Sequence, residues 1–315
     1  MPTSTKKRRK PQVQAPQQHG VRQQRPWLWA LAGAAAVAAI AAIIGVAVTR
    51  SSNGGGGPSS AGNNESAGLP DTPDYHSLSV SPTSPSNILL GTHFGLYRSS
   101  DGGKSWAFEG LQNRDAMNLA RPGGKTLWTA GHYVLAKSTD GGKTWADVNP
   151  RGLPTLDIHG FAVDPRNNRT LYAAVAGQGL YRSTDNGVSF TSVSRDVGGA
   201  VMALVVTRLG EIFAGDMQKG LLASRNGGKT WRRVLEAQLM GLALNPRDPQ
   251  RLLAAGPGVS LSTDGGRTWR KRLDIPEGAG PVAWSPSNPT IAYAVGFDRT
   301  FYRSSDSGQT WSAVG

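Results

Sequence analysis

The 315-residue sequence contains no cysteine, which excludes disulfide bonds, thiolate catalysis, cysteine-ligated metal sites and a lipoprotein anchor. Three familiar motifs are also missing: the Gly-x-x-x-x-Gly-Lys phosphate loop, the dinucleotide fingerprint and the His-Glu-x-x-His zinc motif. The Gly-Gly-Lys tripeptides at 102–104, 141–143 and 227–229 lie in predicted hairpin turns with no helix after them. These absences exclude the common nucleotide-binding and zinc-protease sites.

Acidic residues are missing from the first fifty positions, and this absence explains most of the formal net charge of +13. Those positions hold eight Lys or Arg residues, which leaves +5 for the rest of the chain. Beyond them the basic residues are scattered, whereas a nucleic-acid interface needs them on one face. No nucleic-acid partner is therefore expected.

Residues 27–48 form an uncharged segment rich in Ala, Ile and Val, preceded by the basic residues of 1–26. As a helix this segment would be about 33 Å long, enough to cross a bilayer. Trp27 and Trp29 suit the membrane interface, and the basic residues before them predict a cytoplasmic N-terminus. The alternative is a cleaved signal peptide, whose apolar core is shorter, about 7–15 residues. We predict a single-pass protein of the cell membrane with its C-terminal part extracytoplasmic.

A segment rich in Gly, Ser and Asn separates this anchor from the remaining chain. Residues 51–70 would span about 25 Å as a random coil, enough to free a domain from the membrane surface without placing it far away. The predicted organisation is a basic cytoplasmic tail (1–26), a transmembrane signal anchor (27–48), a flexible linker (49–72) and a repeat domain (73–315).

Variants of the motif Ser-x-Asp-x-Gly-x-Thr-Trp occur six times in the repeat domain, at intervals of about forty residues. Such a period, with short strands and glycine turns, predicts an all-β fold in which one small sheet repeats around an axis, namely a six-bladed β-propeller. The acid of each copy can bind backbone N–H groups within its own turn, so a structural role is predicted for it. These acidic or amide positions are Asp101, Asp140, Asp185, Asn226, Asp264 and Asp306.

Each repeat can be divided into four short strands, which in the first blade are His76–Val80, Ile88–Thr92, Leu96–Ser99 and Ser105–Glu109. The first blade starts with its innermost strand and the sixth ends with its outermost one. No terminal strand is predicted to cross between them. We therefore expect packing between the end blades to close the ring.

This repeat resembles the Asp-box, or BNR, repeat of sialidases, other glycoside hydrolases, sortilin-type receptors and photosystem assembly factors. The chain also resembles bacterial membrane-anchored propellers labelled glycosyl hydrolase. The resemblance covers about residues 76–315 and all six copies of the motif. It implies the propeller fold, but it does not select one function, because the superfamily contains both enzymes and binding modules.

Aligning the blades on the motif places the histidines and methionines of the repeat domain at one mouth of the central channel. First strands begin at His76, Met117, His159, Met202, Met240 and Gly280, and Asp74, Asp115 and Asp157 stand two residues before three of these. Second strands end near His93, His132 and Asp298, and Met217 lies beside the equivalent position of the fourth blade. The Asp-box turns fall on the opposite face.

Two interpretations of this cluster remain open. Imidazole and thioether groups together suit a copper-type metal, with Asp74 or Asp157 orienting a histidine ligand. Its metal ligands would be His76, His93, His132, His159, Met117, Met202, Met217 and Met240. Alternatively, the methionines fill irregular space near the axis and the histidines line a polar pocket.

A binding or assembly module is the function that needs the fewest assumptions, with a protein or glycan held at this mouth. The resemblance implies an alternative, a sialidase-like or other glycoside hydrolase. Sialidases use an arginine trio and a Tyr–Glu pair, whereas this chain lacks their Arg-Ile-Pro segment and its repeat domain holds only four glutamates. A hydrolase here would use the aspartates Asp74, Asp115, Asp157 or Asp298 as acid and base.

Overall fold

The computed structural model describes residues 66–197 and 199–315, and all regular structure in these ranges is β-strand. The strands form six separate sheets arranged as a six-bladed propeller, as the period of the repeat predicts. Within these ranges no helix is long and apolar enough to cross a membrane. The predicted tail, the anchor and residues 49–65 of the linker lie outside the described residues.

The strands follow one another in chain order, four to a blade, with one additional strand in the first. Blade 1 contains β1 (Ser66–Ala67), β2 (Ser77–Val80), β3 (Ile88–Thr92), β4 (Gly95–Ser99) and β5 (Ser105–Gly110). Blade 2 contains β6 (Asn118–Gly123), β7 (Thr126–Gly131), β8 (Val134–Ser138) and β9 (Ala146–Asp147). Blade 3 contains β10 (Ile158–Val163), β11 (Leu171–Val175), β12 (Gly179–Ser183) and β13 (Thr191–Ser194).

Blades 4 to 6 repeat this arrangement. Blade 4 contains β14 (Val201–Val206), β15 (Ile212–Asp216), β16 (Gly220–Ser224) and β17 (Arg232–Leu235). Blade 5 contains β18 (Gly241–Leu244), β19 (Leu252–Gly256), β20 (Gly258–Ser262) and β21 (Arg270–Leu273). Blade 6 contains β22 (Ala279–Trp284), β23 (Ala292–Gly296), β24 (Phe301–Ser304) and β25 (Ser312–Ala313).

In each blade four strands form an antiparallel meander in which neighbouring strands of the sheet are also neighbours in the chain, and in blade 1 β1 is added outside β5. The first strand of each meander (β2, β6, β10, β14, β18 and β22) lines a central channel, so these strands are innermost. Because adjacent strands are antiparallel, the start of the first strand and the end of the second lie on one face of the disc. The turn from the third strand to the fourth, which carries the Asp-box, lies on the opposite face.

The Asp-box turns are held by their own side chains. In the first copy, Ser99 Oγ accepts from the Gly103 N–H at 2.8 Å, and Asp101 Oδ1 accepts from the N–H groups of Lys104 at 3.0 Å and Ser105 at 3.1 Å. In the fourth copy the amide oxygen of Asn226 accepts from the Thr230 N–H at 3.0 Å. Asn226 therefore supplies the same oxygen acceptor to the turn as the aspartate of the other copies, although it has no carboxylate.

Six apolar clusters form the core, and each one lies between two neighbouring blades. The cluster between blades 6 and 1 closes the ring, where the rings of Phe301 and Trp106 meet edge to face at 5.3 Å. The Tyr293 hydroxyl also donates to the Pro85 carbonyl across this junction at 2.9 Å. Each of blades 2 to 6 is built from one continuous stretch of chain, so side-chain packing closes the ring, as expected from the sequence.

The propeller extends further toward the N-terminus than the sequence indicated. Ser66–Ala67, assigned to the linker, pair with the outermost strand of blade 1 as β1. Asp71 forms an ion pair with Arg299 of blade 6 at 2.7 Å, and Pro70 accepts a hydrogen bond from the buried Tyr75 hydroxyl. The composition of this segment could not predict these contacts, because they are made mainly by backbone groups and by one charged side chain.

Candidate site, a line of histidines and aspartates at one channel mouth

The central channel has a volume of about 740 Å³ and is lined by the first strands of all six blades. His76, Met117, Met202 and Met240 line it at the end where these strands begin. This is the mouth to which the blade alignment assigned them. One imidazole and three flexible thioether side chains therefore line the channel at this end.

Two aspartates in equivalent positions each hold a histidine of their own blade. Asp74 accepts from the backbone N–H of His93 at 3.0 Å and contacts its ring Nδ1 at 2.6 Å. Asp115 accepts from the backbone N–H of His132 at 2.9 Å and contacts its Nδ1 at 2.6 Å. An ionised carboxylate can only accept, so each histidine carries a proton on Nδ1 and turns Nε2 toward the next blade.

Glycine at position 131 leaves the space in which Asp115 pairs with His132. A Cβ atom there would lie 2.7 Å from Cγ of Asp115, closer than real contacts allow. Asp115 is almost fully buried in this space, and its Oδ1 has no hydrogen-bond partner. The pair therefore depends on close packing between the end of β7 and the residues before β6.

Contacts within and between blades join the pairs into one row. Within blade 1, His76 Nε2 lies 3.2 Å from His93 Nδ1, and between blades 1 and 2, His93 Nε2 lies 3.8 Å from Asp115 Oδ2. Further along, Asp157 Oδ1 lies 3.7 Å from His132 Nε2 and 3.1 Å from His159 Nε2. We call this row the His–Asp line, and its members are Asp74, His76, His93, Asp115, His132, Asp157 and His159.

The environment divides the four histidines into two groups. Burial lowers the pKa of His76 from 6.5 to about 4 and also lowers the pKa of His159, so both are neutral at pH 7. The hydrogen bond to Asp115 raises the pKa of His132. Burial opposes protonation of His93, but its hydrogen bond to Asp74 and two nearby carboxylates raise its pKa overall. Protonation is thus favoured in the middle of the line and disfavoured at its ends.

Three overlapping sets of the line have the spacing needed to hold a metal ion. They are Asp74 with His76 and His93, Asp115 with His93 and His132, and Asp157 with His132 and His159. Within each set, one nitrogen or oxygen from every member lies within 4.8 Å of the others. The donor atoms brought together are imidazole nitrogens and carboxylate oxygens, which suit divalent transition-metal ions.

Asp298 and Met217, two further candidates from the sequence, are not members of the line. Asp298 of blade 6 binds its own turn, accepting from the Thr300 N–H at 3.1 Å and the Tyr302 hydroxyl at 2.6 Å. Met217 lies half-buried in a turn of blade 4, and the channel lining does not include it. Alignment by repeat position could place these side chains on a face, but not beside a particular neighbour.

Three aromatic side chains on this face were not among the candidate site residues from the sequence, although the register placed Tyr133 near the mouth. Phe94 and Tyr133 directly follow His93 and His132, and Phe297 directly precedes Asp298, so all three occupy the turns between second and third strands. Their exposed fractions are 41%, 77% and 41%. Their positions next to the aligned histidines and Asp298 place them on this face. Alignment of the repeats does not predict, however, whether an aromatic ring is exposed.

The fold and the repeat turns define the class of protein, an Asp-box β-propeller with six blades. More particularly, the chain belongs to the family described as photosynthesis system II assembly factor YCF48, whose model matches residues 74–314. No curated protein sequence matches the chain significantly. The matched residues include all six Asp-box turns and every member of the His–Asp line.

Solved structures similar to this chain include two kinds of protein. YCF48 from Cyanidioschyzon merolae is 17% identical with a TM-score of 0.51, covering 79% of this chain and 88% of that one. A YCF48 bound to a D1 peptide is 20% identical with a TM-score of 0.52, covering 79% and 84%. The GH74 xyloglucanase from Xanthomonas campestris is 19% identical with a TM-score of 0.57, covering 81% and 47%.

These likenesses show the fold. This chain spans about half the length of the xyloglucanase it matches, but most of the length of both YCF48 structures. It therefore corresponds to only part of the enzyme and to nearly all of the assembly factor.

Proposed function

We propose that this protein is a membrane-anchored, extracytoplasmic binding and assembly module that captures a segment of a partner protein on the face carrying the His–Asp line. Residues 27–48 would hold it in the cell membrane, with 1–26 in the cytoplasm. The observation that carries the proposal is the exposure of Phe94, Tyr133 and Phe297 beside charged and imidazole groups. Membership of the assembly-factor family supports it, and a solved member of that family is bound to a peptide.

The proposed surface combines the features of a peptide-binding site. Exposed aromatic rings supply apolar contact area with little loss of side-chain entropy, and such rings are enriched at protein interfaces. The imidazole and carboxylate groups on the same face can bind main-chain and side-chain polar groups of an extended segment. Three of the five exposed large apolar side chains of the described residues lie on this face.

The proposal is tested by selecting displayed peptides against the purified full-length chain and measuring the affinity of the best ones. We expect Tyr133→Asp to weaken binding by about tenfold or more, the loss expected of an aromatic interface residue. Leu209→Asp is the matched control, because Leu209 is 74% exposed, compared with 77% for Tyr133, and lies at the opposite face.

Peptides that lose affinity with Leu209→Asp and not with Tyr133→Asp would place the binding surface on the other face and overturn the proposal. Sialosides and aryl glycosides are offered in parallel. Hydrolysis of one of them that disappears in Asp157→Asn would favour the glycoside hydrolase alternative instead.

A further inference from the structure

We infer that one part of the His–Asp line is a binding site for a divalent transition-metal ion, with His132 Nε2, Asp157 Oδ1 and His159 Nε2 as its ligands. These residues come from two neighbouring blades, because His132 ends blade 2's second strand and Asp157 and His159 begin blade 3. The ion site lies at the same channel mouth as the proposed peptide-binding surface. The inference rests on the proposed function in this respect alone, because ion binding requires no partner protein.

The distances between the three donor atoms suit a single ion. Asp157 Oδ1 lies 3.1 Å from His159 Nε2 and 3.7 Å from His132 Nε2. Two ligands of a tetrahedral ion with bonds of about 2.0–2.1 Å lie about 3.3–3.4 Å apart. The longer observed distance exceeds a hydrogen bond, so His132 and Asp157 face each other without direct bonding. An ion between them would bind both groups.

The surroundings prepare His132 to act as a ligand. Asp115 binds Nδ1 of His132 at 2.6 Å and its backbone N–H at 2.9 Å, which fixes the ring and turns Nε2 toward Asp157. A carboxylate on the far nitrogen is the usual outer partner of a metal-bound histidine. Asp115 is itself buried and packed against Gly131, so this orientation is rigid.

The set also has a route for entry and room for further ligands. The side chains of His132, Asp157 and His159 are 41%, 28% and 20% exposed, so an ion can reach them from solvent. Three protein ligands leave at least one coordination position for water or for a group of a bound partner. Two imidazoles and one carboxylate favour divalent ions, among which Cu²⁺ binds most strongly in the usual affinity order.

The set Asp74, His76 and His93 provides a matched comparison. It has the same composition, but Asp74 already binds Nδ1 and the backbone N–H of His93, and His76 Nε2 contacts that same Nδ1. Nδ1 of His93, which an ion would need, therefore has two neighbours to displace. In the set that contains His159, only the contact between His159 Nε2 and Asp157 lies within hydrogen-bond distance, and His132 Nε2 lies beyond it. We assign the ion to the set that contains His159 and use His76 as the control position.

The test is a titration of the full-length chain in detergent with Cu²⁺ alone and with Zn²⁺ alone, carried out by calorimetry. All proteins carry His19→Ala so that the tail contributes no imidazole. We expect one ion per chain, and the Cu²⁺ form should show two coordinated nitrogens by electron paramagnetic resonance. His159→Ala and His132→Ala should each weaken binding by about tenfold or more and leave one nitrogen. His76→Ala should change affinity by less than about twofold.

Asp115→Asn separates a positioning role from a ligand role. It should weaken the affinity for Cu²⁺ by about 10-fold to 100-fold while the spectrum keeps two nitrogens. Circular dichroism on every variant checks that the fold is retained. Absence of ion binding to the folded parent, or an equal loss in His76→Ala and His159→Ala, would overturn the inference. Failure of peptides to bind while the ion binds would count against the proposed function alone.

Discussion

At the scale of single residues, the neighbours of each side chain in the His–Asp line decide its position. Asp115 can approach His132 because Gly131 has no side chain, and Asp115 in turn sets which nitrogen of His132 faces Asp157. The spacing of aspartate and histidine in the sequence predicted that these residues share a mouth. It could not predict the pairing of individual nitrogens and oxygens, because that depends on the distance between two blades.

Gly131→Ala should destabilise the protein by about 1–3 kcal/mol, because the new methyl group would overlap Asp115 in a packed region. The control is Gly110→Ala, also in a strand, where a Cβ would meet nothing within 4 Å and the expected change is within about 0.5 kcal/mol. Urea unfolding of both variants measures the difference. Equal stability of the two would show that Asp115 can move aside freely.

At the scale of elements, the Asp-box turn explains why the same eight residues recur. Serine and aspartate together satisfy four or more donors in a short turn, and the following glycine has a left-handed backbone, as at Gly103 with a φ of 97°. A Cβ at Gly103 would lie 2.2 Å from the ring of Phe301 in blade 6. Local turn chemistry predicted the bonds made by the serine and the aspartate, because their partners lie within five residues, but not the bond from the Gly102 N–H to the Ser86 carbonyl at 2.9 Å.

These turns should make the propeller lose stability in acid. Burial raises the pKa of Asp101, but hydrogen bonds from Ser105, Ser99 and Lys104 outweigh it and lower the pKa to about 2. At Asp264 the Thr268 hydroxyl is the main cause of a pKa of about 2. Because these folded-state values lie below the unfolded value, the stabilisation is present above about pH 4 and is lost as pH falls through about 2.

Urea unfolding midpoints measured from pH 5 to pH 2 check this prediction. Asp101→Asn should lose less stability than the parent over the same range, because an amide does not titrate there and Asn226 already serves the same turn in blade 4. A midpoint that stays constant down to pH 2 would contradict the role given to these carboxylates.

At the scale of the whole molecule, the ring is closed by apolar packing of blade 6 on blade 1, and no strand crosses between them among the described residues. The six clusters between blades are similar in kind, so the closing junction is one of six equivalent joints. The sequence predicted this closure from the order of the strands. It missed β1, since a two-residue strand has no recognisable pattern of its own.

The predicted orientation in the membrane can be tested directly because the chain has no cysteine. We expect Leu209→Cys, on the exposed surface of the propeller, to react with a membrane-impermeant maleimide in intact cells. Ser4→Cys, in the basic tail, should react only after lysis. Labelling of the tail in intact cells, or protection of residue 209, would reverse or remove the proposed topology.

The sequence by itself determined the number of blades, the chemistry of their turns and the face on which histidines and aspartates gather. It could do so because the repeat period and strand alternation fix these features within each blade. Only the tertiary structure decided that His132 of blade 2 faces Asp157 of blade 3, and that three aromatic rings are exposed on the same face. Those relations depend on the offset and angle between blades, which are set by packing of residues distant in the chain.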